Sequence, residues 1–234
     1  MLKQYWDTCG QVWATMTLVD DVKKSILDSF AKAEKHDAPY PYFVVRDVVP
    51  QDLVPQLRDL PFPAPELDGV SGTREVHNKS RSYFDVENCQ KNEACGALAE
   101  ALQSEEVVAA VQSTFNTDLS DTFLRIEYAQ DTDGFWLEPH TDIGVKSFTM
   151  LLYLSDGEGH EKLGTSIYSN KETHVGESPF EPNLAMIFVP SDDTWHGFES
   201  RPINGVRKSI IINYVTQEWR AREQLAFPNQ TVPA

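Results

Sequence analysis

From about residue 118 onward the chain breaks into short apolar or alternating runs, and this limits the available folds more than any other feature. The runs are T-F-L-R-I-E-Y-A, F-W-L-E-P-H, S-F-T-M-L-L-Y-L, G-T-S-I-Y, T-H-V-G-E, N-L-A-M-I-F-V-P, T-W-H-G-F-E and R-K-S-I-I-I-N-Y-V. Asp-Gly and Pro-Asn pairs punctuate them, as turns do between strands. Eight short strands predict a sandwich or jelly roll, with helices from the first half of the chain packed outside.

Before that boundary helical periods dominate. Val22, Ile26 and Phe30 recur at every fourth residue behind Asp20 and Asp21, which can cap. Residues 41–49 read as a strand ended by Pro50, and a short helix carries Leu53, Val54 and Leu57. Further helices are expected over 92–103 and 105–115, the second capped by Ser104 with Glu105 and Glu106 in its first turn. The expected class is mainly β with flanking helices. The expected organisation is one domain, 1–234. Residues 1–117 are mostly helical, 118–217 form the jelly-roll core and 218–234 a tail.

A net charge of −16 repels nucleic acid phosphate and anionic membrane, so neither is expected as a partner. Cys9, Cys89 and Cys95 are an odd number without C-x-x-C spacing, which predicts free thiols in a reducing cytoplasm. The opening residues are too polar for a signal peptide and no apolar run spans a membrane, so the expected location is cytoplasmic. Oligomeric state is left open.

Two segments carry metal-binding chemistry. His140 and Asp142 stand two apart in P-H-T-D-I-G, beside an apolar strand, so both side chains can point to one side. His196, in T-W-H-G-F, lies on a different strand that a jelly roll can bring alongside. Two imidazoles and one carboxylate hold a non-haem Fe(II) on one face and leave the opposite face open. The site keeps one net positive charge, which draws in an anionic co-substrate. The competing reading makes His140 a loop histidine and His196 a core residue beside Trp195.

The last strand adds an anchor. Arg207, Ser209, Ile211 and Asn213 share one face, and Lys208, Ile210, Ile212 and Tyr214 the other. Arg and Ser at i and i+2 among aliphatics suit a carboxylate, which guanidinium binds in bidentate fashion. Tyr153, sharing a face with Thr149 and Leu151, either donates to the same carboxylate or is a core residue with a wet tip. Tyr128 is a weaker candidate of the same kind.

H-x-D, the distal histidine and R-x-S, set on eight short strands, resemble the Fe(II)- and 2-oxoglutarate-dependent dioxygenase superfamily over residues 122–217. The resemblance implies a double-stranded β-helix with His140, Asp142 and His196 as metal ligands. It implies Arg207 and Ser209, with Tyr153 in support, as holders of the distal carboxylate of 2-oxoglutarate. The implied reaction consumes O2, releases succinate and CO2, and hydroxylates an unactivated C–H bond. Halogenases of similar pattern replace the carboxylate by Gly or Ala, so Asp142 speaks against halogenation. Desaturation, ring closure and epimerisation use the same triad and stay open.

The resemblance names no substrate. A small polar molecule (an amino acid, a sugar derivative or a biosynthetic intermediate) suits the short chain. The alternatives are a protein or peptide hydroxylase and a non-catalytic cupin-like jelly roll, against which R-x-S speaks. Residues 72–85 form a basic island with Arg74, His77, Lys79 and Arg81. Arg81, with Arg74, either pairs with a substrate carboxylate or phosphate or belongs to a solvated lid. Trp136 either walls the pocket or packs in the core.

Overall fold

The computed structural model describes residues 17–64, 72, 81–142 and 144–233. Five helices and eleven strands are found there. The first half of the chain gives α1 (Leu18–Phe30), β1 (Glu34–His36), β2 (Tyr42–Arg46), α2 (Val54–Arg58), β3 (Ser82–Tyr83), α3 (Val86–Lys91), α4 (Glu93–Gln103) and α5 (Glu105–Phe115). The second half gives β4 (Phe123–Thr132), β5 (Leu137–His140), β6 (Lys146–Tyr153), β7 (Ser166–Asn170), β8 (Thr173–Glu177), β9 (Leu184–Phe188), β10 (His196–Phe198) and β11 (Val206–Val215). Each of the eight runs after residue 118 is a strand.

Two caps differ from expectation. Thr17, not Asp20 or Asp21, is the N-cap of α1. Its hydroxyl accepts from the Asp20 N–H at 3.2 Å, and the Asp20 carboxylate reaches back to the Thr17 N–H at 3.1 Å. This reciprocal box satisfies two amide donors, which an aspartate one turn further in cannot do alone. Ser104 stands at the N-cap of α5 but makes no side-chain cap; its hydroxyl donates to Ala101 O at 2.7 Å and so closes α4 instead.

Both sheets are antiparallel. The larger has the order β1-β2-β9-β6-β11-β4-β3 and the smaller β5-β10-β7-β8. They face each other as the jelly-roll core. β11 shows how its sequence builds both layers. Ile210, Ile212 and Tyr214 are fully buried with Val22, Ile26, Leu98, Leu102 and Val108 of the helices. Ile211 points the other way and packs with Leu137, Ile167 and Phe198 of the small sheet. Each such aliphatic stabilises the fold by about 1.5–3 kcal/mol through burial. One apolar strand is thus covered by helices on one face and by a sheet on the other.

Among the described residues no helix is long and apolar enough to cross a membrane. Cys89 and Cys95 are free, and burial pushes both thiols up to about 12, so they stay protonated at neutral pH. Cys9 lies outside the described residues.

Candidate active site

The small sheet brings the two histidines together. β10 pairs with β5 so that His196 stands opposite His140. Gly197 permits this approach, because a Cβ there would lie 2.7 Å from the Leu137 carbonyl oxygen. Asp142 follows two residues after His140, beyond the end of β5. The three residues each offer a ligand atom, all within 4.8 Å of one another. Bonds of about 2.1 Å to a common ion set such atoms roughly 3–3.5 Å apart, so a small inward movement completes a site.

The chemistry of the donor set fits a divalent cation. His140 Nδ1 lies 2.9 Å from Glu138 O, and His196 Nδ1 2.9 Å from Thr194 O. A carbonyl oxygen only accepts, so both Nδ1 atoms carry the proton and both Nε2 lone pairs are left for a ligand bond. Burial pushes His196 down to about 4, against the pull of Asp142, and keeps the imidazole neutral. Burial also acts to raise the Asp142 carboxyl, but Lys146, His196 and the hydrogen bond from Thr149 outweigh it and hold it well below the usual range. Lys146 Nζ donates to Asp142 Oδ1 at 2.5 Å and Thr149 Oγ1 to Oδ2 at 2.7 Å. The carboxylate is therefore charged and fixed.

A cavity of about 620 Å³ opens over the triad. Arg207 and Ser209 line it, both nearly fully buried, on the inward face of β11. Arg207 is held more firmly than its sequence context suggests. Nη1 donates to Asp131 at 2.6 Å and Nε to the Leu163 carbonyl at 2.8 Å. The guanidinium also lies 4.8 Å from the Phe198 ring centroid. Among the described residues Nη2 has no protein acceptor, so it remains available to a ligand.

The tyrosines are placed differently from one another. Tyr153 shares the inward face, but its hydroxyl is engaged at 2.8 Å with Thr165 Oγ1 and at 2.7 Å with Ser178 Oγ. Its partner Thr165 lines the cavity wall. Tyr128 faces the helices, where its hydroxyl donates to Arg58 O at 2.6 Å. The reason is parity: Tyr128 is opposite Ile210, on the outward face of β11. Trp136 is half-buried and does not line the cavity; it packs on Gly72, where a Cβ would meet its ring at 2.2 Å. Arg81 does line the cavity, 3.4 Å from Glu127. Arg74, His77 and Lys79 lie outside the described residues.

Several lining groups went unnamed by the sequence reading. Arg125 and Glu127 point inward from β4 and bond to each other at 2.7 Å. Asp131, two pairs further along, is the counter-ion of Arg207. Their signal is visible afterwards: the charges at 125, 127 and 131 stand an even number of residues apart on a largely apolar strand and so share one face. From Arg125 a chain of hydrogen bonds runs through Asn213 Oδ1 (3.0 Å) and from Asn213 Nδ2 to Thr149 Oγ1 (2.9 Å), ending on Asp142.

No family model matches the chain, and no curated protein matches it. Solved structures do share its fold. Prolyl 4-hydroxylase from Phytophthora capsici is similar at a TM-score of 0.57 and 14% identity, over 89% of this chain and 69% of that one. A Pseudomonas putida prolyl-4-hydroxylase gives 0.50 and 15%, over 84% and 95%. A prolyl hydroxylase from Trichoplax adhaerens, in complex with a hypoxia inducible factor oxygen degradation domain peptide fragment, gives 0.53 and 13%, over 86% and 91%. The chain shares its fold with these hydroxylases.

Proposed function

We propose that the chain is an Fe(II)- and 2-oxoglutarate-dependent dioxygenase that hydroxylates a small polar substrate. One observation carries the reading: His140, Asp142 and His196 converge on the same cavity that Arg207 and Ser209 line from the facing sheet. A metal triad alone suits many proteins. A buried guanidinium with an unengaged nitrogen beside it suits a co-substrate that carries a second carboxylate.

His140, Asp142 and His196 would hold the metal on one face. The protonated Nδ1 atoms fix which nitrogen each imidazole presents, and Lys146 and Thr149 hold the carboxylate in place. Arg207, steadied by Asp131 and Leu163 O, would receive the distal carboxylate of 2-oxoglutarate together with the Ser209 hydroxyl. Leu137, Leu151, Phe198 and Ile211 line the same cavity and keep water scarce around the reacting carbon. The bound iron and co-substrate supply the oxygen activation, with succinate and CO2 as the products of 2-oxoglutarate. Asp142 fills the position that a halide needs, which favours hydroxylation.

A second reading, a protein or peptide hydroxylase, is favoured by the fold likeness to prolyl hydroxylases, one of them in complex with a peptide fragment. Succinate formation from 2-oxoglutarate, assayed with Fe(II) and O2 against panels of small molecules and of proline-containing peptides, tests both. Stimulation by a small molecule supports the first reading, and stimulation by peptides alone replaces it with the second. Failure to consume 2-oxoglutarate under any condition overturns both.

A further inference from the structure

The end of the cavity beyond Asp142 is built unlike the rest. Arg125 is buried there between two aromatic rings, 5.0 Å from the Tyr83 centroid and 4.8 Å from that of Trp219. Nε donates to Gln224 Oε1 at 3.0 Å, Nη1 to Asn213 Oδ1 at 3.0 Å and Nη2 to Glu127 Oε2 at 2.7 Å. These bonds use three of the five guanidinium N–H groups, leaving one on each terminal nitrogen. The Tyr83 hydroxyl and the Trp219 indole N–H are both buried without any hydrogen-bond partner among the described residues. All three side chains line the cavity.

Buried donors without acceptors are costly and uncommon, and two of them flanking one guanidinium are better explained by an absent ligand than by chance. Trp219 Nε1 can only donate, so the ligand must accept there. The local charge points the same way. Glu127 is shared between Arg125 and Arg81, 2.7 and 3.4 Å away, so two guanidinium groups face one carboxylate. A cation would find Glu127 already engaged; an anion would find convergent N–H and O–H groups. Arg207 cannot serve the same group. It stands six residues from Asn213 on β11, about 20 Å along the strand. Asp142 is joined to the Arg125 end through Thr149 and Asn213.

We propose that Tyr83, Arg125 and Trp219 form a subsite for a carboxylate of the organic substrate, separate from the Arg207 anchor. This rests on the dioxygenase reading, and it makes the substrate a small carboxylic acid oriented by its acid group. Arg81 stands beside this subsite, 3.4 Å from Glu127.

The test uses the full chain loaded anaerobically with Fe(II) and 2-oxoglutarate. A panel of L-amino acids and N-acetyl-L-amino acids, each as free acid and as primary amide, is titrated against the visible band of the loaded protein. At least one acid should bind about tenfold or more tighter than its amide, the discrimination expected of hydrogen bonds to a charged group. Tyr83→Phe removes only a hydroxyl that has no partner among the described residues, whereas Trp219→Phe removes the indole N–H together with part of a ring that packs on Arg125 and on Phe123, Val215 and Leu225. Each should weaken acid binding by about tenfold while the 2-oxoglutarate band stays at its wild-type value, and Tyr83→Phe should also keep the wild-type thermal midpoint. Phe variants that keep full acid affinity overturn the subsite, as does the absence of any preference for an acid over its amide. A wild-type protein that shows no band with Fe(II) and 2-oxoglutarate instead overturns the dioxygenase reading beneath it.

Discussion

Replacing Thr149 by valine tests whether the metal carboxylate is held from behind. Thr149 is 1% exposed, and valine nearly matches its shape. Its hydroxyl donates to Asp142 Oδ2 at 2.7 Å and accepts from Asn213 Nδ2 at 2.9 Å. Loss of a hydrogen bond to a charged carboxylate costs about 1.5–3 kcal/mol, and a buried amide left without an acceptor about 1–3 kcal/mol. Asn213 Nδ2 retains a longer contact with Phe148 O at 3.4 Å, so only part of the second cost applies. The expected destabilisation of the metal-free protein is about 2–4 kcal/mol in urea denaturation. With Lys146 as the one remaining side-chain donor to Asp142 among the described residues, Fe(II) affinity should fall about 10–100-fold in anaerobic competition with a chelator. Thr149→Ser keeps the hydroxyl and should restore the metal affinity. A folded valine variant that binds Fe(II) as tightly as wild type, with its urea midpoint unchanged, would mean that Thr149 does not hold the carboxylate.

Acid should weaken the metal-free protein through His196. Unfolded histidine takes its proton near 6.5, whereas burial delays protonation of folded His196 to about 4. The unfolded chain therefore binds more protons across that window, and the contribution of the neutral imidazole, complete above about 6.5, declines as pH falls, by roughly 3 kcal/mol at pH 4. Comparing urea midpoints of wild type and His196→Gln from pH 7 to 4 isolates the effect, and parallel curves would exclude it. Asp131→Ala leaves the Arg207 guanidinium buried without its counter-ion and should cost about 3–5 kcal/mol. A loss below about 1 kcal/mol in the same assay would mean that the pair is solvated in the native protein.

Much of this architecture is legible in the residues because the strands that build the site are covered on both faces. The run R-K-S-I-I-I-N-Y-V alternates cleanly, and Ile210, Ile212 and Tyr214 do meet the helices while Arg207, Ser209 and Ile211 face the small sheet. The triad was legible because two of its members are two residues apart and the third begins a short strand. Other features depend on distant pairing. Tyr128 faces the helices because β4 and β11 set it opposite Ile210, and no property of Tyr128 alone records that. Asp131 meets Arg207 across 76 residues of sequence. β1 is exposed throughout and α3 buries no residue, so neither carries an apolar pattern to read. Arg125 and Glu127 are the informative omission. Inward charges on a buried strand need partners, and theirs lie in three separate segments, around Tyr83, Asn213 and Trp219.

One cavity is proposed to hold a metal on His140, Asp142 and His196 and an oxo-diacid on Arg207. The direct measurement is the anaerobic visible spectrum of the protein with Fe(II), titrated with 2-oxoglutarate. A weak charge-transfer band should grow with 2-oxoglutarate in the wild type. It should be absent in His196→Ala and should require far more 2-oxoglutarate in Arg207→Ala. A wild-type protein that binds Fe(II) but develops no band, or an Arg207→Ala variant that titrates like wild type, would mean that 2-oxoglutarate does not bind between this metal and Arg207.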